Sequence, residues 1–543
     1  MATEKDFIKD LEGLPLTRRN FLKGAAGAFI AASMGPSWRE VLAQSVDAPP
    51  EEWDEVTDVV VVGTGFAGLA AAIEAHDAGA DVLILEKAPE KYQGGNSRVS
   101  LQAVFNPEPK ETAIIHFKAT CTVIGPEYLD QPEDMIEAWA EEMGKSADWL
   151  KSIGVPGIIK VSGVGASFPE LPGSECTGLC LSRMMGGGNM WDAVDKAVDE
   201  RGIRALYETP AKKLIQDPDT REILGVVAER NGRETNIKAR RAVMLGCGGF
   251  HSNHELQAKY CPFLNGPAYG IGTPYNEGDG IPMSLAVGAD LWHMGSLIGP
   301  FWGPKLPGYE ITNIFVPGGS EYIWVDGNGR RFVAEVGFFD VAAHCHGKKK
   351  SDGTYVYNPT PPRMHCIFDE RLRERGPIFA GLGGTLKTGW FNCFPELLSW
   401  SSDNMAEVRK GWITQADSIR ELARKINMDP STLEDTVTRY NGYCGRRGKD
   451  LEFNRSSGSL RRIDRPPYYA LPLVPMIIDT QGGPKRNARS QIVDASWEPI
   501  PRLYSAGALG SITSYLYFGG GAVGEAMAFG RIAGRNAAKE VPI

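Results

Sequence analysis

The sequence lacks the features that would direct the protein into a membrane, onto nucleic acid or into a disulfide framework. No stretch approaches the ~20 consecutive apolar residues that a membrane-spanning helix needs. The 58 Lys and Arg residues are outnumbered by 67 Asp and Glu, and the formal net charge of -9 disfavours nucleic acid as a partner. The nine cysteines are odd in number and scattered, so they predict no set of disulfides.

Metal and haem signatures are also missing. The sequence contains no C-x-x-C-H haem-attachment motif and no zinc-like pairing of C-x-x-C units. A haem that exchanged electrons with this protein would therefore belong to a separate partner. The composition is that of an ordinary globular protein, with 42% hydrophobic and 23% charged residues. At 543 residues the chain exceeds one hydrophobic core, and two or more domains are expected.

The first residues resemble a twin-arginine export signal. Arg18 and Arg19 are followed by Phe-Leu-Lys, by a mildly apolar stretch over residues 24–32 and by a small-residue cleavage site at 41–43. We expect residues 1–43 to be a signal peptide that sends the folded protein to the periplasm or to the outer face of the cytoplasmic membrane. Residues 44–53 are expected to be a linker. The alternative is an amphipathic N-terminal helix with a chance Arg-Arg pair.

Residues 57–74 contain the strongest local signal in the chain. A β-branched run ends at Gly63, Gly65 and Gly68, which have the spacing of a dinucleotide-binding turn, and an alanine-rich helical segment follows. Residues 80–87 predict the next parallel strand. Its last acid, Glu86, lies near the offset at which a carboxylate grips a ribose hydroxyl. The sequence therefore predicts a bound dinucleotide whose pyrophosphate meets the positive end of the helix.

Three further segments predict contacts to the same cofactor. Residues 94–97 (Gly-Gly-Asn-Ser) can turn amides and hydroxyls toward a phosphate or a flavin ring, unless they form a plain surface turn. Residues 242–250 predict a strand that is apolar on both faces, as a central parallel strand should be, and that ends at Gly248 and Gly249. Asp279, between two glycines, either accepts hydrogen bonds from ribityl hydroxyls or caps the helix over 281–286.

The remaining elements follow from periodicity, turn residues and composition. An amphipathic helix with its apolar stripe in the core is predicted over 131–152, and a strand over 205–215. Asn231 and Gly232 predict a hairpin turn between 223–229 and 234–239. Helices are predicted near 404–426 and 431–443, and a small-residue helix closes the chain. A shift toward Trp, Pro and Gly predicts that 298–465 is a second domain inserted into a first domain made of 54–297 and 466–543.

Nine motifs in order resemble the FAD-dependent oxidoreductase family that contains fumarate reductase, succinate dehydrogenase and 3-ketosteroid dehydrogenase. They are Gly-x-Gly-x-x-Gly at 63–68, Glu-Lys at 86–87, Gly-Gly-Asn-Ser at 94–97, Thr-Pro-Ala at 209–211, Gly-Cys-Gly-Gly-Phe at 246–250, Gly-Asp-Gly at 278–280, Gly-Arg-Arg-Phe at 329–332, Ala-Gly at 506–507 and Gly-Gly-Gly-Ala at 519–522. The resemblance covers essentially the whole mature chain. It implies an α/β fold with a Rossmann-like FAD-binding domain in two sequence pieces and an inserted α+β cap domain.

The resemblance also implies a set of cofactor contacts. FAD is expected to be non-covalent, because no histidine stands beside the glycine pair at 94–95, where some relatives tether the flavin. The helix that starts near Gly521 is expected to place its N-terminus at the flavin pyrimidine edge. The expected FAD-binding residues are Gly63, Gly65, Phe66, Ala67, Gly68, Glu86, Lys87, Gly94, Gly95, Asn96, Ser97, Ala211, Gly248, Gly249, Asp279, Gly507, Gly521, Ala522 and Val523.

The chemistry implied by the family is hydride transfer between the flavin and a carbon-carbon bond next to a carbonyl. Two substitutions disfavour a dicarboxylate substrate, because its charges would lack cationic partners. Tyr517 stands where fumarate reductases have a carboxylate-binding arginine, and Ile-Asp at 478–479 replaces paired histidines. Tyr517 and the amide of Gly521 instead match the pair that grips the ketone oxygen in 3-ketosteroid dehydrogenases, which is an arrangement suited to an enone or ketone.

The proton donor or acceptor is left open by the sequence. Phe339 stands where fumarate reductases have a proton-donating arginine and the steroid enzymes a tyrosine, and phenylalanine cannot transfer a proton. The pair His344 and His346 without further ligands predicts a polar turn rather than a metal site, and no metal is expected. For Tyr515, ordinary packing competes with catalysis. The candidate catalytic residues are Tyr517, Gly521, Tyr515, Asp479, His344, His346 and Asp340.

Three functions are consistent with the sequence. The first is an exported FAD oxidoreductase that reduces or desaturates a carbon-carbon bond conjugated to a carbonyl in a small apolar substrate. Its electrons would pass through a separate cytochrome or quinol-linked partner, because NAD(P)H is absent outside the cytoplasm. The second keeps the fold but reduces an unsaturated (aryl)acrylic or other carboxylic acid in respiration. The third is a non-enzymatic binding protein with the flavin fold, which would lack flavin absorbance.

Overall fold

The computed structural model describes residues 49–163, 168–182, 186–313, 315, 318–335, 347–349, 355–378, 388–445 and 448–543. The described strands are β1 (Glu55–Val62), β2 (Val82–Leu85), β3 (Val104–Phe105), β4 (Ile159–Ser162), β5 (Gly178–Leu181), β6 (Arg204–Leu206), β7 (Ala211–Gln216), β8 (Ile223–Arg230), β9 (Arg233–Leu245), β10 (Tyr269–Gly270), β11 (Leu291–Trp292), β12 (Leu297–Ile298), β13 (Phe301–Pro304), β14 (Tyr322–Val325), β15 (Gly347–Lys349), β16 (Tyr355–Tyr357), β17 (Met364–Asp369), β18 (Thr414–Ala416), β19 (Tyr468–Ile477), β20 (Asp479–Thr480), β21 (Gly483–Pro484), β22 (Gln491–Val493) and β23 (Pro499–Ser505). The described α-helices are α1 (Phe66–Asp77), α2 (Gly95–Val99), α3 (Lys110–Cys121), α4 (Glu133–Gly144), α5 (Ser146–Ser152), α6 (Asn189–Glu200), α7 (His254–Tyr260), α8 (Gly280–Ala286), α9 (Glu370–Glu374), α10 (Trp390–Cys393), α11 (Met405–Arg409), α12 (Ile419–Lys425), α13 (Pro430–Tyr443) and α14 (Gly521–Ala537).

The first sheet carries the predicted dinucleotide-binding turn. Within the described residues it has eight strands, in the order β22-β23-β9-β1-β2-β6, with β8 paired to β9 and β7 to β8. Strands β23, β9, β1, β2 and β6 run parallel. Residues 59–62 of β1 are buried on both faces, as in parallel sheets covered from both sides. Because β1 and β23 lie more than 400 residues apart and share one sheet, the predicted α/β, Rossmann-like fold built from two sequence pieces is confirmed.

The closing helix α14 packs along the first helix α1. A Cβ atom at Gly530 would lie 2.5 Å from the carbonyl oxygen of Ala67, and one at Gly534 would lie 2.3 Å from that of Ala71. No residue other than glycine fits such an approach of two backbones. The glycines of α14 therefore allow it to pack closely on α1, the helix that follows the dinucleotide-binding turn.

The second sheet has six strands among the described residues, in the order β10-β19-β17-β14, with β13 and β18 also paired to β19. Trp302, Trp324 and Phe368 belong to the hydrophobic cluster on one face. Residues of α12 and α13 pack with Ile323 and Ile367 in the cluster on the other face. The sheet takes in residues 269–270 and 468–477, so it extends beyond the predicted insert of 298–465 at both ends.

A buried ion-pair network holds one edge of this second sheet. Nη2 of Arg331 lies 2.7 Å from Oε2 of Glu335 and 2.8 Å from Oδ2 of Asp450, and Nη1 of Arg455 lies 3.2 Å from Oε2 of Glu335. Burial alone would raise the pKa of Asp450, but the Arg331 guanidinium outweighs burial and lowers that pKa to about 2. Arg331, the second arginine of the Gly-Arg-Arg-Phe motif, is therefore part of the structural framework.

Two predicted elements are divided in the structure. The apolar stripe over 131–152 is buried as predicted, but the segment forms two helices, α4 and α5, because the poor helix former Gly144 ends the first of them before Lys145. The predicted strand over 205–215 forms β6 and β7. It is interrupted because Glu208 adopts a positive φ of 50° and Pro210 has no amide hydrogen for a ladder.

Two predicted strands are instead joined. The segment 234–239 and the first residues of the segment 242–250 form a single strand, β9. This strand pairs with β8 in the hairpin and with β1 in the parallel sheet. The pairing register between β1 and β9 shifts between Thr57 and Val59, which accommodates the extra residues of β9. Nε of Arg240 lies 2.9 Å from Oδ1 of Asp58 at that point. An irregularity in pairing therefore stands where the sequence predicted a break between two segments.

The predicted hairpin and the later helices are confirmed with small changes. Asn231 and Gly232 have φ values of 54° and 73° and join β8 to β9, as a two-residue primed turn requires. The segment near 404–426 forms α11 and α12 with β18 between them, and α13 covers 430–443. In the described part of the chain, no helix combines the length and apolar character needed to cross a membrane.

Candidate functional site

A cavity of about 460 Å³ lies at the carboxyl ends of the parallel strands of the first sheet. The ends of β1, β2, β9 and β23 all contribute to its wall, which is where open α/β sheets bind their ligands. Its volume falls within the ~300–1,000 Å³ range of small-molecule and cofactor sites. The predicted site residues that line it are Gly63, Gly65, Ala67, Glu86, Lys87, Gly95, Asn96, Ser97, Ala211, Asp479, Gly248, Asp279, Gly507, Tyr517, Ala522 and Val523.

Glu86 fixes the turn between β1 and α1. Its Oε2 accepts hydrogen bonds from the backbone N–H of Thr64 at 3.0 Å and from the Thr64 hydroxyl at 2.5 Å, and its Oε1 accepts one from the N–H of Ala88 at 2.8 Å. The hydroxyl oxygen of Thr64 in turn accepts a bond from the N–H of Gly94 at 2.9 Å. The Glu86 carboxylate, which is predicted to bind a ribose, therefore also connects the dinucleotide-binding turn to the glycine pair at 94–95.

The loop at 94–97 connects three parts of the site and is more than a surface turn. The Ser97 hydroxyl accepts a hydrogen bond from the N–H of Phe66 at 2.9 Å, at the first residue of α1. The Asn96 side chain accepts one from the N–H of Thr273 and donates one to the carbonyl oxygen of Ile478, at 2.9 and 3.2 Å. The loop thus connects the dinucleotide-binding turn to the segments around residues 273 and 478.

Asp279 forms an ion pair and does not cap its helix. It occupies the N-cap position of α8, but its side chain accepts no hydrogen bond from that helix. Instead Nζ of Lys87 lies 2.6 Å from Oδ2 of Asp279 and 2.9 Å from Oε2 of Glu277. Burial alone would lower the pKa of Lys87, but the two carboxylates outweigh it and raise that pKa. Lys87 is therefore a paired cation within the cavity wall.

Glycines leave the backbone of the cavity wall uncovered by side chains where a dinucleotide would bind. A Cβ atom at Gly95 would meet nothing within 4 Å, and one at Gly65 would meet only the Ser97 hydroxyl at 3.3 Å and the Gly94 oxygen at 3.9 Å. Gly65 is also the N-cap residue of α1, so the positive end of a 12-residue helix borders the cavity. Open glycine backbone, a helix N-terminus and an acidic strand end fit the diphosphate and ribose of FAD.

Tyr517 lines the cavity just before the closing helix. Its hydroxyl oxygen lies 3.5 Å from the backbone nitrogen of Ala522, whose N–H donates to it. The amide of Gly521, which the family pattern assigns to the ketone oxygen, instead donates to the carbonyl oxygen of Phe518 at 2.8 Å. The tyrosine hydroxyl and the Ala522 amide are therefore the polar pair that this loop holds together.

Asp479 lines the same cavity and contacts a buried histidine. Its Oδ1 lies 3.3 Å from Nδ1 of His251 and accepts a hydrogen bond from the N–H of Thr480 at 2.9 Å. Nε2 of His251 lies 2.9 Å from the carbonyl oxygen of Thr273. The His251 side chain is fully buried and that of Asp479 is 9% exposed. The cavity wall therefore contains, in addition to its tyrosine, an acid that is backed by a buried imidazole.

The match to a family model decides the identity of the fold. A model described as an FAD binding domain matches residues 58–523. The chain belongs to this FAD-binding family. Its cofactor is FAD, as the sequence motifs predicted, and the cavity residues described above fit that cofactor.

Relatives of this FAD-binding protein act on different molecules. The chain is 26% identical to NADH:acrylate oxidoreductase of Vibrio harveyi over 98% of its own length, but it spans only 55% of that protein. It is 27% identical to digoxin reductase of Eggerthella lenta, with 97% of each chain covered. The crystal structure of 3-ketosteroid delta1-dehydrogenase from Sterolibacterium denitrificans superimposes with a TM-score of 0.69 at 23% identity, covering 89% of this chain and 99% of that one. The flavoprotein therefore has the fold of FAD-dependent oxidoreductases that act on carbon-carbon bonds.

Several predicted site residues of the FAD-binding protein lie outside the cavity wall. Gly68 packs helix on strand, since a Cβ there would lie 1.9 Å from the oxygen of Gly63, and Gly249 packs against Thr480. Phe66, Gly94 and Gly521 act through their backbones, as described above. Tyr515 donates a hydrogen bond to the carbonyl oxygen of Tyr355 at 3.4 Å, and burial raises its pKa to about 12. Phe339, Asp340, His344 and His346 lie outside the described residues, as does the predicted export signal.

Sequence reasoning missed two residues that the structure places in or directly behind the cavity wall. Thr64 occupies an unconstrained position of the Gly-x-Gly-x-x-Gly pattern, yet its hydroxyl connects Glu86 to Gly94. His251 directly follows the Gly-Gly-Phe segment at 248–250, which comes after β9, and that position next to a glycine pair was the available signal. Its partner Asp479 lies 228 residues further along, so the pair itself has no signature in the sequence.

Proposed function

We propose that the protein is an FAD-dependent oxidoreductase that acts on a carbon-carbon bond conjugated to a carbonyl group in a largely apolar substrate such as an enone. One observation carries the proposal. Among the described residues that line the cavity, Lys87 is the one cation, and it is held by Asp279 and Glu277. A carboxylate substrate would find no uncommitted cation in that part of the wall. A neutral carbonyl needs only hydrogen-bond donors.

The loop at 517–522 supplies a hydrogen-bond donor for the carbonyl oxygen. FAD, when bound, supplies the hydride-carrying ring system. The Tyr517 hydroxyl, oriented by the N–H of Ala522, donates its proton in a hydrogen bond to the carbonyl oxygen and stabilises the negative charge that develops there. Apolar side chains of the wall, among them Ile271, Ile298 and Ile478, exclude water from the same space. Together these residues polarise an enone and protect the reacting carbons.

The second candidate function is reduction of an unsaturated carboxylic acid such as an aryl acrylate. Its support is the similarity to NADH:acrylate oxidoreductase, whereas the similarity to digoxin reductase over nearly the whole of both chains favours an uncharged substrate. The binding-protein alternative predicts that purified protein carries no flavin. The yellow flavin absorbance expected of the purified protein separates that alternative from both enzymes.

A substrate panel tests the proposal. The purified flavoprotein is reduced anaerobically with dithionite and then mixed separately with a 3-keto-4-ene steroid, an aryl acrylate and fumarate, while flavin absorbance is followed. We expect rapid reoxidation by the enone and slow or no reoxidation by fumarate. Reoxidation by fumarate alone contradicts the proposal, and reoxidation by the aryl acrylate alone selects the second function.

We also propose that the protein is exported and that a separate cytochrome or quinol-linked carrier exchanges electrons with its flavin. The support is the arginine pair at 18–19 with its following Phe-Leu-Lys, and the absence of NAD(P)H outside the cytoplasm. Replacing both arginines by lysine is expected to leave the flavoprotein in the cytoplasmic fraction. An unchanged distribution between fractions contradicts the export proposal.

A further inference from the structure

His251 and Asp479 lie close enough to share a hydrogen bond between Nδ1 and Oδ1. A carbonyl oxygen only accepts hydrogen bonds, so the contact of Nε2 with the Thr273 oxygen places a hydrogen on Nε2. Nδ1 then faces Oδ1 of Asp479 at 3.3 Å. Either Nδ1 carries a proton and donates it to the carboxylate, or the carboxylic acid donates to Nδ1. Without that proton, two lone pairs would face each other in a buried site.

Asn96 accommodates the state in which the proton has left. Its Oδ1 accepts from the N–H of Thr273 at 2.9 Å, which fixes the orientation of the amide. Its Nδ2 group therefore points toward Nδ1 of His251, at 3.4 Å, and toward the carbonyl oxygen of Ile478. When Nδ1 has no hydrogen, the Asn96 amide donates to it. The site thus stabilises both the loaded and the unloaded form of the pair.

The second carboxylate oxygen of Asp479, Oδ2, is not used in the hydrogen bonds that hold the pair. Both of its described hydrogen bonds are made by Oδ1, to His251 and to the N–H of Thr480, while Oδ2 accepts none from the described residues. The residue lines the cavity that also contains Tyr517. The groups of the described chain that hydrogen-bond to the pair, from Asn96, Thr273 and Thr480, are uncharged. The pair therefore lies at the edge of the cavity among uncharged hydrogen-bonding groups.

We propose that Asp479, with His251 behind it, is the proton donor and acceptor of the reaction. The proposal rests on the proposed function, in which a conjugated carbon-carbon double bond is reduced. The saturated product gains one hydrogen as hydride from the reduced cofactor and one as a proton. The proton leaves the Asp479 carboxyl group as the new C–H bond forms, and a carboxylate beside a neutral imidazole remains. Water restores the proton before the next turnover, and the reverse sequence serves desaturation.

The roles of the two residues differ. Asp479 reaches the cavity and is the catalytic residue of the pair, whereas His251 is a positioning residue that stores the proton and acts through Asp479. The pair would supply the proton transfer in a chain that has phenylalanine at position 339, where the family resemblance implies a proton-transferring side chain. General acid–base groups typically contribute about 10²–10⁴-fold to the rate.

The test uses purified holoenzyme and whichever of the enone or the aryl acrylate the wild type reduces faster, because both substrate classes need the same proton. Asp479→Asn keeps the size of the side chain and removes the acid. We expect kcat to fall about 10²–10⁴-fold, while flavin content and reduction by dithionite stay at wild-type levels. In Asp479→Ala, added formate is expected to restore part of the rate. A residue with a structural role alone would not respond to formate.

His251→Gln tests the positioning role. We expect the fall of kcat at alkaline pH to move to lower pH, because a lone carboxylic acid gives up its proton at lower pH than an imidazolium. His254→Gln is the matched control, since His254 begins α7 outside the cavity wall, and its pH profile should be that of the wild type. A kcat of Asp479→Asn within threefold of wild type, or an unchanged pH profile in His251→Gln, would overturn the proposal. A wild type that reduces only the acrylate would refute the enone function and leave this test intact.

Discussion

Nζ of Lys87 lies 2.6 Å from Oδ2 of Asp279, across 192 residues of sequence. The pair joins the end of the second parallel strand to the loop that precedes α8, and Glu277 accepts from the same ammonium. The contact neutralises the cation nearest to the acidic strand end at Glu86. The described part of the cavity wall therefore has no uncommitted lysine or arginine, beside a site for a cofactor whose diphosphate is anionic.

Replacing Lys87 by methionine is expected to weaken the retention of FAD about tenfold or more, because two carboxylates then stand unpaired beside an anionic cofactor. The dissociation constant can be measured by titrating apoprotein with FAD and following flavin fluorescence. The double variant Lys87→Met with Asp279→Asn should recover much of the affinity, since it removes one of the unpaired charges. Equal affinity of the single variant and the wild type would show that the ion pair has no part in cofactor binding.

Replacing Tyr517 by phenylalanine is expected to lower kcat about 10²–10³-fold, the usual cost of removing one donor to a developing oxyanion. Flavin content should stay intact because the ring still fills its place in the wall. Tyr515→Phe is the matched comparison, since that hydroxyl bonds to the backbone of Tyr355 outside the cavity wall, and its kcat should stay within about threefold of wild type. Normal turnover in Tyr517→Phe would remove Tyr517 from the site.

Replacing Arg331 by alanine is expected to lower the free energy of unfolding by about 3–5 kcal/mol, because Asp450 is left as a buried, unpaired carboxylate and Glu335 keeps only Arg455 as its cationic partner. Arg420→Ala removes an exposed arginine whose partner Glu434 is also exposed, and should cost less than about 1 kcal/mol. Urea unfolding of both holoenzymes gives the comparison. Similar losses in the two variants would mean that burial of the network contributes nothing to stability.

The raised pKa of Asp195 predicts that the stability of the protein depends on pH. Burial, with the charges of Asp199 and Asp192, raises its pKa from 3.8 to about 7. The folded protein therefore binds a proton that the unfolded chain has released between those pH values, and this group lowers stability as pH rises through that window. Asp195→Asn should raise the urea midpoint relative to wild type at pH 8 and change it little at pH 4. An equal change at both pH values would show that Asp195 does not titrate this way.

The elements that depend on a local sequence pattern were predicted correctly. The fingerprint around Gly63, the hairpin turn at Asn231 and the glycine-rich start of the closing helix each depend on turn residues next to a regular apolar run, and the structure has all three. Boundaries were less predictable, because a single glycine at 144 or a bulge opposite Asp58 changes an element without changing its apolar pattern.

The site was predictable only where one motif supplies it. The pairs Lys87–Asp279 and His251–Asp479 form between side chains about 200 residues apart, and neither partner carries a signal for the other. Tyr515 and Tyr517 look alike in sequence, but the chain places only the second of them in the cavity wall. The amide of Gly521 was assigned by family pattern, whereas the local turn uses it for the carbonyl of Phe518.

The packing of α14 on α1 bears on how the protein is made. The fingerprint helix is synthesised early, but its partner surface at Gly530 and Gly534 leaves the ribosome some 450 residues later. Until then the alanine-rich face of α1 is uncovered, and the wall formed by residues 506–526 does not yet exist. The cavity that fits FAD is therefore complete only once the last part of the chain has been synthesised and has packed on α1.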